Sequence, residues 1–183
     1  PVNELYILAK NSLEAGNFSE AANFFDNVER EYPYSIWASR SQLMSAYANY
    51  EANKYDTAII GLDRYIQLHP SNRDTPYAYY LKALCYYEQI TDVSRDQLIT
   101  QKALQVLQKI ARRYPETKYA RDALLKIDLT RDHLAGKEME VGRYYLKRGN
   151  YLAAANRFNQ VIKKYEKPHY FQRKILIKNL ETG

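Results

Sequence analysis

The chain has 183 residues, a net charge of +6 and a single cysteine, Cys85. One cysteine excludes a disulfide framework and a cysteine-built metal set, and no stretch approaches the ~20 consecutive apolar residues of a membrane-spanning helix. Charge is uneven: residues 1–70 carry five Lys/Arg and nine Asp/Glu, a balance of −4, and residues 71–183 carry 22 and 12, a balance of +10. Such asymmetry points the two ends at different partners, the basic end at an acidic one.

Taken in chain order, the elements obey one spacing rule: an alanine, a bulky apolar residue four later, another apolar residue seven later and a stop at twelve. The copies are Ala21, Phe25, Val28, Pro33; Ala58, Leu62, Tyr65, Pro70; Ala103, Leu107, Ile110, Pro115; and Ala154, Phe158, Val161, with Glu166 in place of the proline. An apolar stripe of this kind ending in proline is an amphipathic helix with its terminator. Three copies follow a turn and an aromatic, in Gly16-Asn17-Phe18, Asn53-Lys54-Tyr55 and Gly149-Asn150-Tyr151. Helix, tight turn, second helix with a small alanine at the crossing, closing proline: this is the tetratricopeptide unit of about 34 residues. The expected fold is all-α, a tetratricopeptide-repeat superhelix (α-solenoid) of four to five helix-turn-helix repeats in a single domain, 1–183.

The repeats fall at about 3–34, 36–70, 75–115 and 119–166, with 167–183 a partial fifth repeat or C-terminal helix. In repeat one, the first helix should bury Leu5, Leu8, Ala9 and Ser12, and Ser19 should cap the second. In repeat two, Trp37, Leu43, Met44, Tyr47 and Tyr50 lie on the first helix and Asp56 caps the second. From Ala58 to Ala103 is 45 residues, an excess of 11 placed in an inserted loop at 91–97. From Ala103 to Ala154 is 51 residues, which makes the first helix of repeat four very long. Ala123, Leu124, Ile127, Leu134, Met139, Val141 and Tyr145 are its apolar positions, and Gly136 its expected kink or break.

Catalytic chemistry is missing from the pattern. His69, His133 and His169 are far apart and form no metal-binding pair, and no nucleophile elbow, P-loop or dinucleotide fingerprint occurs. The reading is therefore no enzyme, no metal, no cofactor. Basic residues are dispersed among acids with no recognition motif, so nucleic acid is not an expected partner. Cys85 lies in an apolar run and reads as a small buried hydrophobe. Nineteen tyrosines suit the half-exposed faces of stacked helices and peptide-binding grooves alike. Tyr47, Tyr55 and Tyr65 read as packing residues, and Tyr32, Tyr34 and Trp37, at a repeat junction, as candidates for a substrate-peptide groove. Arg143, Lys147, Arg148 and Arg157 suit an acidic protein surface.

The segments Tyr32-Pro33-Tyr34-Ser35-Ile36-Trp37-Ala38, Tyr77-Ala78-Tyr79-Tyr80-Leu81-Lys82-Ala83-Leu84, Ser94-Arg95-Asp96-Gln97 and the run from Leu134 to Tyr145 resemble the BamD family, lipoproteins of the bacterial outer-membrane β-barrel assembly (BAM) machinery. The likeness covers about residues 3–165. It implies a periplasmic scaffold, held to the outer membrane through a lipidated N-terminal cysteine that these residues do not contain. It further implies N-terminal repeats that bind unfolded outer-membrane β-barrel proteins, C-terminal repeats that dock on a POTRA domain of BamA, here through Arg143, Lys147, Arg148 and Arg157, and other BAM lipoproteins as partners. The alternative is a generic tetratricopeptide adaptor of the cell-division or co-chaperone type.

Overall fold

A computed structural model describes residues 2–90 and 97–165. Within them every regular element is a helix: α1 (Val2–Glu14), α2 (Phe18–Glu31), α3 (Ala38–Glu51), α4 (Tyr55–Leu68), α5 (Thr75–Tyr87), α6 (Gln97–Arg113), α7 (Lys118–Lys147) and α8 (Tyr151–Tyr165). The inserted loop, apart from Gln97, and the partial fifth repeat lie outside the described residues, as does Glu166. The chain forms two compact units, divided between Ile127 and Asp128.

In the first unit α2 packs on α1 and α3, and α4 on α3 and α5. The stripe predicted from spacing is its spine: Ala21, Phe25, Val28, Ala58, Leu62, Ala103, Leu107 and Ile110 are fully buried, and Tyr65 nearly so. Alanine at the crossings lets backbones approach, and the larger residues fill the space a turn away. Three clusters follow one another. One gathers Tyr6, Ala9, Phe25 and Val28, the next Leu43, Leu62, Tyr65, Leu81 and Cys85, the third Tyr79, Leu107, Ile110 and Ile127. Cys85 is a core residue, its thiol pushed up to about 12 by burial. Tyr47 and Tyr55 pack against the middle cluster. Arg64 of α4 also pairs with Glu29 of α2 at 2.7 Å.

The turns repeat as faithfully as the helices. Gly16, Asn53 and Gly149 all have positive φ, +80°, +58° and +74°. In each case the next amide reaches back to a carbonyl five residues earlier: Asn17 to Ser12, Lys54 to Asn49, Asn150 to Tyr145. This left-handed closure satisfies the orphan carbonyls of the first helix, and asparagine replaces glycine at modest cost. The junctions between repeats have their own pattern, two successive i→i+3 bonds: Ser35 N–H to Tyr32 and Ala38 N–H to Ser35, then Asn72 to His69 and Thr75 to Asn72, then Thr117 to Tyr114 and Ala120 to Thr117.

The second unit contains the end of α7 and α8. Its described core is small: Leu134 and Ala154 are its buried apolar side chains, beside the buried polar Thr130 and Glu138. Gly142 is buried because Phe158 fills the space beside it; a Cβ there would lie 2.4 Å from Phe158 Cε1.

Several local expectations are corrected. α2 and α4 begin directly after their turns, so the caps are Asn17 and Lys54 instead of Ser19 and Asp56, and neither caps through its side chain. In α1, Tyr6 takes the inward position, and Leu8 is exposed. Leu124 of α7 is exposed too. Trp37 precedes α3 as its cap residue. α7 runs through Gly136 as unbroken helix; one interior glycine costs only about 1 kcal/mol against alanine, too little to end a helix that packs on both sides of it.

Candidate functional site

The two residue sets singled out from sequence belong to different units. Tyr32, Tyr34 and Trp37 lie at the α2–α3 junction. Val28 accepts the Tyr32 amide and ends α2, and Pro33 prevents continuation. The chain then makes its double turn, which turns Tyr34 and Ile36 wholly outward: their exposures are 101% and 86%. Trp37 points the other way. It is half-buried on the first core cluster, its ring 4.5 Å from that of Tyr6, which meets Phe25 edge-on at 5.6 Å. So the structure separates the predicted trio. Trp37 anchors the junction, Tyr32 is at its margin, and Tyr34 is free to meet a ligand.

Ile36 was missed from sequence, and the repeats themselves hold the signal that finds it. The three junctions are equivalent bond for bond, so their positions can be matched. Where the first has Tyr34, the others have Ser71 and Glu116; where it has Ile36, they have Arg73 and Lys118. All four counterparts are polar and exposed, as a solvated turn requires. An isoleucine and a tyrosine at such a turn leave apolar area in water that a partner could cover, on the order of 1.5–3 kcal/mol for each side chain fully buried.

A second feature of the first unit is its wall of tyrosines. Tyr119 of α7 lies 5.6 Å from Tyr77 and 5.2 Å from Tyr80 of α5. The Tyr80 hydroxyl donates to Asp122 Oδ2 at 2.6 Å, and Lys126 reaches the same carboxylate at 2.8 Å. Burial pulls the Asp122 carboxyl upward, but donation from Lys126 and Tyr80 outweighs it and holds the group below its ordinary value. Burial first, then Glu88 and Glu51, pushes Tyr50 up to about 12. Burial also raises Tyr77 and Tyr80, the latter helped by its bond to Asp122. These hydroxyls remain neutral donors at physiological pH.

In the second unit Arg143, Lys147 and Arg148 are exposed on the last turns of α7 and just beyond, with no acidic partner among the described residues. Arg148 lies over the Tyr144 ring at 4.8 Å. Arg157 differs. Its Nη1 donates to Glu138 Oε2 at 3.0 Å, and the carboxylate side chain is only 10% exposed while the arginine keeps 38%. Arg157 is thus first the counter-ion of a buried acid. In the same unit Leu129, Tyr144, Leu146, Tyr151, Leu152 and Ile162 are all exposed. Among the described residues no His, Cys, Asp or Glu group could hold a metal ion, and no helix is long and apolar enough to cross a membrane.

Paired helices with a small residue at each crossing, left-handed turns inside the pair and double turns between pairs define an all-α tetratricopeptide-type repeat protein whose distinctive side chains lie on its exposed surfaces. The chain belongs to the YfiO family, described as outer membrane lipoprotein, whose model matches residues 1–180. A protein of Caulobacter vibrioides named outer membrane protein assembly factor BamD is 52% identical over 166 residues, 91% of this chain and 54% of that protein. The proteins of the same name from Rickettsia prowazekii and Neisseria meningitidis serogroup B are 42% and 34% identical, over 93% and 98% of this chain and 68% and 71% of theirs. The chain therefore spans about half the length of the Caulobacter relative, and the likeness to the BamD family holds over most of its own length. Among solved structures, a MamA RS-1 ArsTM double mutant superposes with a TM-score of 0.50 at 17% identity, over 89% of this chain and 74% of that one, a likeness of fold alone.

Proposed function

We propose that this protein is a non-enzymatic scaffold of outer-membrane protein assembly, acting at the periplasmic face of the outer membrane, where a lipid anchor outside this chain holds it. The observation that carries the reading is the 52% identity to an assembly factor across 91% of the chain. It works by binding, as one tetratricopeptide array with two surfaces of different chemistry. The first-unit junction takes an unfolded β-barrel segment: Tyr34 and Ile36 supply exposed apolar contact, Tyr32 its margin and Trp37 the rigid base. A weak, exchangeable complex is the expected result, because an unfolded ligand loses conformational freedom on binding.

The second unit supplies the BamA POTRA docking surface, with room beside it for the other BAM lipoproteins. Arg143, Lys147 and Arg148 offer unpaired cations next to exposed Tyr144 and Leu146, a mix that suits an acidic surface with an apolar centre. Arg157 takes part with Glu138 at its back, which holds the guanidinium in one orientation and lets its remaining donors face a partner carboxylate. Photocrosslinkers at Tyr34 and Ile36 should capture a peptide ending in an aromatic residue, as β-barrel strands do; capture only from the second unit would defeat that assignment. Arg143→Glu with Arg148→Glu should weaken titration against the BamA periplasmic region while the helical signal holds. Arg157→Glu cannot serve as the probe by itself, because it sets a second carboxylate against buried Glu138 and would disturb folding and docking together.

A further inference from the structure

Residues 97–127 carry seven Lys/Arg against two Asp/Glu, and α6 itself contains four cations and no acid. Outside α6 some first-unit cations find carboxylates: Lys10 pairs with Glu14, Arg64 with Glu29, Lys82 with Asp63, Lys126 with Asp122. Lys102, Lys109 and Arg113 find none among the described residues. They are 7 and 4 residues apart, which returns them to one face of the helix, separated by about 10 Å and 6 Å along its axis. Each lies over a tyrosine ring. Lys109 Nζ is 4.7 Å from the centroid of Tyr79 and the Arg113 guanidinium 6.0 Å from the same ring and 5.6 Å from that of Tyr114, while Lys102 Nζ is 5.8 Å from Tyr86, a ring that Lys82 also approaches at 6.0 Å. Tyr79 and Tyr86 are themselves 7 apart on α5, so the two helices present a line of cations laid along a line of rings.

A favourable dipole contact at the end of α6 accounts for Arg112 and Arg113 but not for Lys102 or Lys109, a turn or more inside. Solubility alone would leave the lysines waving in water. Here cation–π contact holds their heads close to the α5–α6 seam, so less freedom is lost when a ligand binds. A membrane surface is flat and needs cations that project from a face. Cations in single file, held down on rings, suit a single extended chain laid along the seam better than a flat surface.

We propose that the α5–α6 seam, with Lys102, Lys109 and Arg113 as its cations, is a docking strip for an extended acidic segment of a partner protein. The strip lies in the first unit and is separate from the basic set of the second. It does not rest on the assembly role argued above, so a chain that failed to bind BamA could still bind here.

The probe is a fluorescein-labelled 20-residue peptide of alternating Glu and Ser, titrated by anisotropy against the full chain. Binding should appear at low salt, weaken as salt rises, and fall by about tenfold in Lys109→Gln with Arg113→Gln. Lys163→Gln with Lys164→Gln removes the same charge from exposed positions in α8 and should leave affinity unchanged. Carbodiimide coupling of the peptide to the unmodified protein, followed by peptide mapping, should place the cross-links on Lys102 and Lys109, which keeps the test decisive if a variant folds badly. Absence of binding, equal loss in both double variants, or cross-links spread over other lysines would overturn the proposal. So would phosphatidylglycerol vesicles that bind in an α6-dependent way while the peptide does not, since that result assigns the strip to a membrane surface.

Discussion

The two units solve the same packing problem with very different means. In the first, helices are covered on two sides and the core runs through three apolar clusters with nine largely buried positions at the crossings and stripes. In the second, the described core rests on Leu134, Ala154, the Gly142–Phe158 contact and a buried acid with its arginine, while large apolar side chains face outward in both units. Among the described residues the second unit thus has a thinner apolar core, and an internal ion pair in it adds little net stability to compensate. The first unit carries the deeper core of the two among the described residues.

The sharpest way to break this contrast is to damage the first core. Leu62 is fully buried at the centre of the middle cluster, and Leu62→Ala should cost about 2–5 kcal/mol through lost transfer and the cavity left behind. Urea unfolding followed by far-UV circular dichroism checks it. A loss below 1 kcal/mol would mean that the cluster collapses around the gap and is less tightly packed than its burial suggests.

In the second unit the most sensitive place is a glycine. Gly142→Ala sets a methyl against the Phe158 ring, where a Cβ would stand only 2.4 Å from Cε1 and 2.8 Å from Cδ1. The ring must shift, at a cost of about 1–3 kcal/mol, partly offset by the helix preference of alanine, at most about 1 kcal/mol. Hydrogen exchange should show faster exchange in 128–165 with the first unit unaffected. Equal loosening of both units would refute the idea that each packs for itself.

How much of this was legible depended on where a helix sits. The second helices of the pairs, α2, α4 and α6, face the core on one side and water on the other, so Ala21, Ala58 and Ala103 with their followers could be read directly from spacing. α3 is packed by α2, α4 and α5, and buries Ser41, Gln42, Ser45 and Asn49 as well as Leu43 and Ala46. With apolar and polar residues buried all round, no stripe survives to be read. The turns were visible through Gly16 and Gly149, and Asn53 through its place in the same pattern. The candidate site was half legible. Aromatic character pointed to Tyr34, but Trp37 has the same character and packs inward, a choice fixed by the direction of a turn that composition does not encode. Arg157 illustrates the other limit: its partner Glu138 lies 19 residues away, and only the α7–α8 crossing brings them together.

The smallest effect expected is set by pH and sharpens the contrast from the electrostatic side. Asp122 holds its proton less tightly in the folded chain than at its ordinary value of 3.8, so its bonds to Lys126 and Tyr80 stabilise the fold above that value and fade as the pH falls through and below it. Tyr50 works in the opposite sense. Its folded value near 12 lies above the ordinary 10.0, so the fold gains from its neutral hydroxyl below pH 10 and loses that gain as the pH rises from 10 toward 12. The Asp122 contribution is screened by water, because the carboxylate is 39% exposed, and should amount to a few tenths of a kcal/mol. Asp122→Asn should therefore flatten the acid limb of a stability-against-pH profile slightly and, because that carboxylate helps to hold the Tyr80 hydroxyl up, soften the alkaline limb as well, whereas Tyr50→Phe should act on the alkaline limb alone. If Asp122→Asn left the alkaline limb unmoved, burial alone would be holding the Tyr80 hydroxyl up, and the carboxylate that accepts its proton would be coupled to the tyrosine wall less tightly than their 2.6 Å contact implies.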